Sequence, residues 1–146
     1  MNRRSAAPAL RTNRGGGKTV QRLIAEATRA IAFVSMQEAA RRIEQRDPSL
    51  IVLDVREREA FRAKHVPSAR NVPRGELELR ANQELPDPTA RILVYCQFGK
   101  ISTLAAQTLR VLGYTRAVAL DGGFEAWTQS GYPVEGDAIE PKLATN

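Results

Sequence analysis

The sequence predicts an α/β domain with a central, mostly parallel β-sheet and helices on both faces, and three observations lead to it. Residues 50–55 (LIVLDV), 92–95 (ILVY) and 117–120 (AVAL) are short runs whose apolar residues follow one another instead of alternating. That pattern belongs to strands covered on both faces. Segments with helical spacing separate the runs, and strands that alternate with helices build a parallel sheet between helix layers. Asp54, Cys96 and Asp121 stand at or just beyond the carboxyl ends of these strands, the rim at which open parallel sheets bind ligands.

The elements follow in order. After Gly15-Gly16-Gly17, Thr19 can cap a helix in which Val20, Leu23, Ile24, Ala27 and Ile31 form one apolar stripe. This helix precedes the alternating pattern, so it packs on the outside of the domain or against a second copy. A brief extended piece spans 32–34. Ser35 and Glu38 then make a capping box for a helix that ends before Asp47-Pro48. Beyond the 50–55 strand come a short helix over 57–64, a turn at 65–69, an extended piece over 70–73 and a short helix over 74–81. Residues 82–90, with Pro86 and Pro88, read as a loop. The 92–95 strand leads through 96–102 into a helix whose face is Ala105, Thr108, Leu109 and Leu112, closed by Gly113. After the last strand, Asp121-Gly122-Gly123 turns tightly into a helix over 124–130.

Length and charge narrow the possibilities. The 146 residues suffice for one domain with a real core and not comfortably for two. One cysteine excludes an internal disulfide and fits a reducing, cytoplasmic setting. A single histidine rules out a multi-histidine metal site within the chain. The net charge of +6 is concentrated at the start: residues 1–18 hold Arg3, Arg4, Arg11, Arg14 and Lys18 and no acid, which leaves 17 basic against 16 acidic residues elsewhere. We expect a basic flexible tail there and no nucleic-acid or membrane partner, although an organellar transit peptide is also compatible with such a start.

Cys96 is the candidate nucleophile. A helix N-terminus presents unpaired N–H groups and the positive end of the helix dipole, which stabilise a thiolate. Gly99 lets the loop turn so that successive amides form an anion-binding nest, and Lys100 adds a positive charge. A buried free cysteine acting as a small hydrophobe is the alternative; the position at a strand-to-helix junction favours the reactive reading.

Five motifs carry a likeness to a known family. Residues 53–57 (LDVRE), 65–69 (HVPSA), Tyr95-Cys96 with its Gly99 loop, 112–114 (LGY) and 120–127 (LDGGFEAW) resemble, in order and spacing, the single-domain rhodaneses. The likeness covers roughly 33–134. It implies a three-layer α/β domain over 33–136, preceded by the amphipathic helix (19–32) and followed by a C-terminal tail (137–146). It also implies a sulfurtransferase or sulfur carrier of the thiosulfate sulfurtransferase type. Cys96 would hold a sulfane sulfur as a persulfide, and the loop Gln97, Phe98, Gly99, Lys100, Ile101 and Ser102 would bind it, with no metal or organic cofactor. The implied partners are a small anionic sulfur donor such as thiosulfate and a thiol or cyanide-like acceptor. The N-terminal helix offers a surface for a protein partner or for self-association.

Asp54, Arg56 and Asp121 are expected to support the loop, Asp54 and Arg56 as a bracing ion pair. His65 is expected to be structural, Ser102 to cap the helix, and Phe124 and Trp127 to lie in the core. Two departures from the family bear on function. Many active members carry Arg five residues after the cysteine, where this chain has Ile101, so a two-point oxyanion ligand is missing. The related phosphatases, whose loop is one residue longer, need Arg six residues after the cysteine, and here that place is Ser102. Ile101 also supports a second reading, a catalytically weak rhodanese-like module that binds or regulates a partner.

Overall fold

The computed structural model describes residues 14–137; most of the basic N-terminal stretch, and residues 138–146, lie outside them. Among the described residues the five strands are β1 (Phe33–Val34), β2 (Leu50–Asp54), β3 (Arg70–Asn71), β4 (Arg91–Tyr95) and β5 (Ala117–Leu120), in the order β1-β5-β4-β2-β3. Every pairing between them is parallel. The continuous apolar runs thus become the three central strands, covered on both sides.

Pleating divides the core in two. Leu53, Ile92, Val94, Cys96, Ala117 and Ala119 face one side, and Val52, Leu93, Tyr95 and Leu120 face the other. The first side is covered by α1 (Val20–Ala30), α4 (Leu77–Glu84) and α5 (Lys100–Val111), the second by α2 (Met36–Glu44) and α6 (Gly123–Gln129). The short α3 (Arg58–Ala63) buries no residue fully.

Two predicted caps form, although the Glu38 carboxylate bonds Arg41 and Arg42 and does not return to the Ser35 amide. Thr19 Oγ1 accepts from the Arg22 N–H and Ser35 Oγ from that of Glu38, each at 3.1 Å, satisfying amides that a helix start leaves unpaired. Helix α1 docks on its own domain: Ala27 is fully buried, and Arg110 of α5 donates to the Ala30 carbonyl at 2.8 Å. Its Val20 and Leu23 stay exposed.

The end of α4 differs from expectation. Residues 82–84 continue α4 instead of opening a loop. Ala81 and Leu85 are both fully buried, and the Tyr114 hydroxyl donates to the Leu85 carbonyl at 2.6 Å, so tertiary packing carries the helix to the edge of the Pro86-Pro88 segment. Among the described residues, no helix is long and apolar enough to cross a membrane.

Candidate active site

Strand β4 ends at Tyr95, and the next residue is Cys96, 4% exposed. Its Sγ accepts two backbone hydrogen bonds, from the Gly99 N–H at 3.2 Å and the Ser102 N–H at 3.1 Å. Gly99 makes this geometry possible. It is the N-cap of α5 at φ +105°, a conformation that costs other residues strain. No side chain caps α5, so amides that would ordinarily be taken by a cap turn to the sulfur.

The start of α5 corrects one expectation. The helix begins at Lys100, and Ser102 is its third residue, not its cap. The fully buried Ser102 hydroxyl lies 3.4 Å from Sγ and donates to the Gly99 carbonyl at 3.2 Å, which also accepts from Thr103 Oγ1 at 2.6 Å. These bonds pin the turn from inside. Lys100 is exposed, and so are Phe98 (68%) and Ile101 (51%).

Side chains behind the loop hold it in place. Asp54, at the end of β2, is fully buried, and both its carboxylate oxygens accept from Arg56 at 2.8–3.1 Å. The same guanidinium donates to the Lys64 carbonyl (2.6 Å) and to Gln97 Oε1 (3.3 Å), and it lies 4.1 Å over the Phe124 ring. Burial works against the Arg56 charge, but its polar neighbours, Asp54 foremost, outweigh burial together and the guanidinium is held above its ordinary range. Asn71 completes the corner by donating to the carbonyls of Asp54 and Arg56. The Tyr95 hydroxyl, beside this pair, accepts from the Val66 N–H at 3.0 Å. Burial first, and Asp54 second, push its pKa well above that of a free phenol, so it stays neutral.

The turn after β5 supplies the remaining support, and here the residue differs from expectation. Asp121 is exposed, and its N–H donates to Val34 of the edge strand. The loop is instead held by Phe124 and Glu125, whose N–H groups donate to the carbonyls of Cys96 (2.8 Å) and Gln97 (2.9 Å). Gln97 Nε2 returns a bond to Glu125 Oε1 at 3.1 Å. Gly123 permits the approach: a Cβ there would stand 2.7 Å from the Gln97 carbonyl oxygen and 2.9 Å from that of Cys96. The Gly122-Gly123 pair was the sequence signal for this close approach; nothing local marked Glu125.

His65 takes part in none of this. Its ring stacks on Phe61 at 3.9 Å, Nδ1 lies 2.7 Å from the Phe61 carbonyl, and its backbone pairs with Glu135. Trp127 is fully buried with its indole N–H on the Pro133 carbonyl. A groove of about 520 Å³ runs beside Trp127, lined also by Ile43, Pro67 and Tyr132, and includes no residue of the cysteine loop.

A buried sulfur under two backbone donors, at the end of a central parallel strand, sits in a chain whose residues 35–130 match the model of the rhodanese-like domain. The chain belongs to this rhodanese-like family. It is 31% identical over 99 residues to the putative sulfur carrier protein YrkF of Bacillus subtilis, covering 68% of this chain and 52% of that one. Thiosulfate sulfurtransferase GlpE of Tolumonas auensis is 33% identical over 94 residues, covering 64% of this chain and 85% of the relative. This rhodanese-like chain therefore spans about half the length of one relative and most of the other. Among solved structures, a protein of unknown function from Rhodopseudomonas palustris, described as a possible tyrosine phosphatase, superposes with a TM-score of 0.72 at 27% identity, over 80% of this chain and 94% of that one. The family is one of sulfur transfer in its named relatives, and the phosphatase description stays with the protein that bears it.

Proposed function

We propose that this protein is a sulfurtransferase or sulfur carrier that holds a sulfane sulfur as a persulfide on Cys96. The observation that carries the reading is the pair of amides, Gly99 and Ser102, already aimed at Sγ. With thiosulfate as donor, the Cys96 thiolate attacks the outer sulfur, the S–S bond of the donor breaks, and sulfite leaves with the bonding pair. The product, Cys96–S–S⁻, carries the same charge as the thiolate it replaces. A thiophilic acceptor then takes the outer sulfur: cyanide leaves as thiocyanate and the thiolate is restored. No step needs a metal or organic cofactor, because the backbone donors and the α5 N-terminus stabilise the anionic sulfur. The loop 97–102 is the binding cradle, and Asp54 and Arg56 are positioning residues behind it. Exposed Lys100 draws in an anionic donor. A cytoplasmic setting suits a single reduced cysteine, and a protein partner or second copy would meet the exposed Val20 and Leu23 of α1.

Mass spectrometry after incubation with thiosulfate should find one sulfur added to Cys96 and removed again by cyanide. Cys96→Ser should take up none. No adduct with any sulfane donor, or an adduct that survives Cys96→Ser, sinks the proposal.

A second reading is favoured by one residue. Ile101 stands where an anion-binding Arg would sit in many active relatives, which suits a partner-binding module of low turnover. Brisk thiosulfate:cyanide turnover by the unmodified protein counts against that module.

A further inference from the structure

Each of the two amides on the Cys96 sulfur follows an exposed apolar residue. Phe98 precedes Gly99 and is 68% exposed; Ile101 precedes Ser102 and is 51% exposed. The sulfur itself is nearly covered, and these two exposed side chains belong to the same short loop whose amides hold it. Positive charge in that loop is sparse: within 97–102 only Lys100 carries it. The neighbouring Arg56 is committed to Asp54, Gln97 and the Lys64 carbonyl. A small dianion therefore finds one flexible ammonium there and no bidentate ligand, whereas an apolar group finds two side chains whose water it can displace.

Resting on the reading of Cys96 as sulfur carrier, we infer that Phe98 and Ile101 are specificity-determining residues that select sulfane donors bearing an apolar organic substituent over thiosulfate. An aryl thiosulfonate is the simplest such donor. The Cys96 thiolate attacks its terminal sulfur, the bond between that sulfur and the sulfonyl sulfur breaks, and the arenesulfinate leaves with the electron pair, its ring resting against Phe98 and Ile101. The charge balances as it does with thiosulfate, and the persulfide formed is the same.

The test compares kcat/KM for benzenethiosulfonate and for thiosulfate, with cyanide as acceptor, across a set of variants. Because the two donors differ in intrinsic reactivity, the readout is the change in their ratio from the unmodified protein. Phe98→Ala should lower the aryl:thiosulfate ratio about 10-fold, the loss of roughly one aromatic contact. Ile101→Arg should lower it about 100-fold, by weakening the aryl donor and strengthening thiosulfate together. Leu79→Ala, at an 88% exposed apolar residue of α4, should leave the ratio unchanged. A ratio that stays constant in Phe98→Ala and Ile101→Arg, while both donors still load Cys96, overturns the specificity inference and leaves the carrier reading standing. If neither donor loads Cys96 in the unmodified protein, the carrier reading falls and this inference with it.

Discussion

Two helix starts in this molecule are built alike and used differently. Strands β4 and β5 both run into a turn whose N-cap is a left-handed glycine, Gly99 at φ +105° and Gly122 at φ +87°, and neither following helix has a side-chain cap. At α5 the uncapped amides of Gly99 and Ser102 meet only the Cys96 sulfur. At α6 the amides of Phe124 and Glu125 are consumed by the carbonyls of Cys96 and Gln97. The second start is spent on holding the first. A helix N-terminus becomes a ligand cradle only when its donors are left over, and here one turn makes that possible for the other.

Substitutions can break this relation at graded cost. The largest effect is expected from Arg56→Met, which strands the fully buried Asp54 carboxylate and removes the donor to Gln97 Oε1. Breaking one side of a buried pair costs about 3–5 kcal/mol, so the urea midpoint should fall steeply and sulfur loading of Cys96 should be lost with it. A midpoint within error of the unmodified protein would show that the Asp54–Arg56 pair does not brace the loop. Gly123→Ala comes next. Its Cβ meets backbone on the loop at 2.7 Å and its φ is +70°, so strain and displacement together should cost about 3 kcal/mol.

Gly99→Ala sharpens the comparison, because its φ is as unfavourable but nothing lies within 4 Å of the new Cβ. It should cost only about 1–2 kcal/mol while retaining Cys96 loading. If Gly99→Ala proves the costlier of the two by denaturation, the closed start is not what limits the geometry of the open one. Ser102→Ala should be smallest. It deletes one hydrogen bond to the Gly99 carbonyl, which Thr103 still satisfies, for about 1 kcal/mol. It also removes the 3.4 Å contact of the hydroxyl with Sγ, but loading should persist, since the Gly99 and Ser102 amides still donate to the sulfur. Failure to load despite a native melt would give the hydroxyl a direct role.

The same contrast explains what the sequence could reveal. The central strands were legible because burial on both faces writes an unbroken apolar run, and the Cys96–Gly99 loop because its residue types lie side by side. Lys100 and Ile101 were missed as helix because they point to solvent and add nothing to the apolar stripe. The brace was only half legible. Asp54 and Arg56 lie two residues apart, but Arg56 reaches Gln97 across 41 positions and Gln97 reaches Glu125 across 28. Periodicity carries no information at such separations, so Asp121, at the obvious strand end, drew the expectation that Glu125 fulfils.

The long reach of the edge pairing has a consequence in time. β1 finds its partner only when Phe33 meets Ala119, and the amides that hold the cysteine loop come later still, at Phe124 and Glu125. During synthesis the chain emerges from its N-terminus, and parallel pairings of this sequence separation form late. The loop around Cys96 thus gains its backbone support from Phe124 and Glu125 only after the last helix has been made. A chain that stops short of α6 has the cysteine and its two local amide donors but lacks the Phe124 and Glu125 bonds that fix the loop in place.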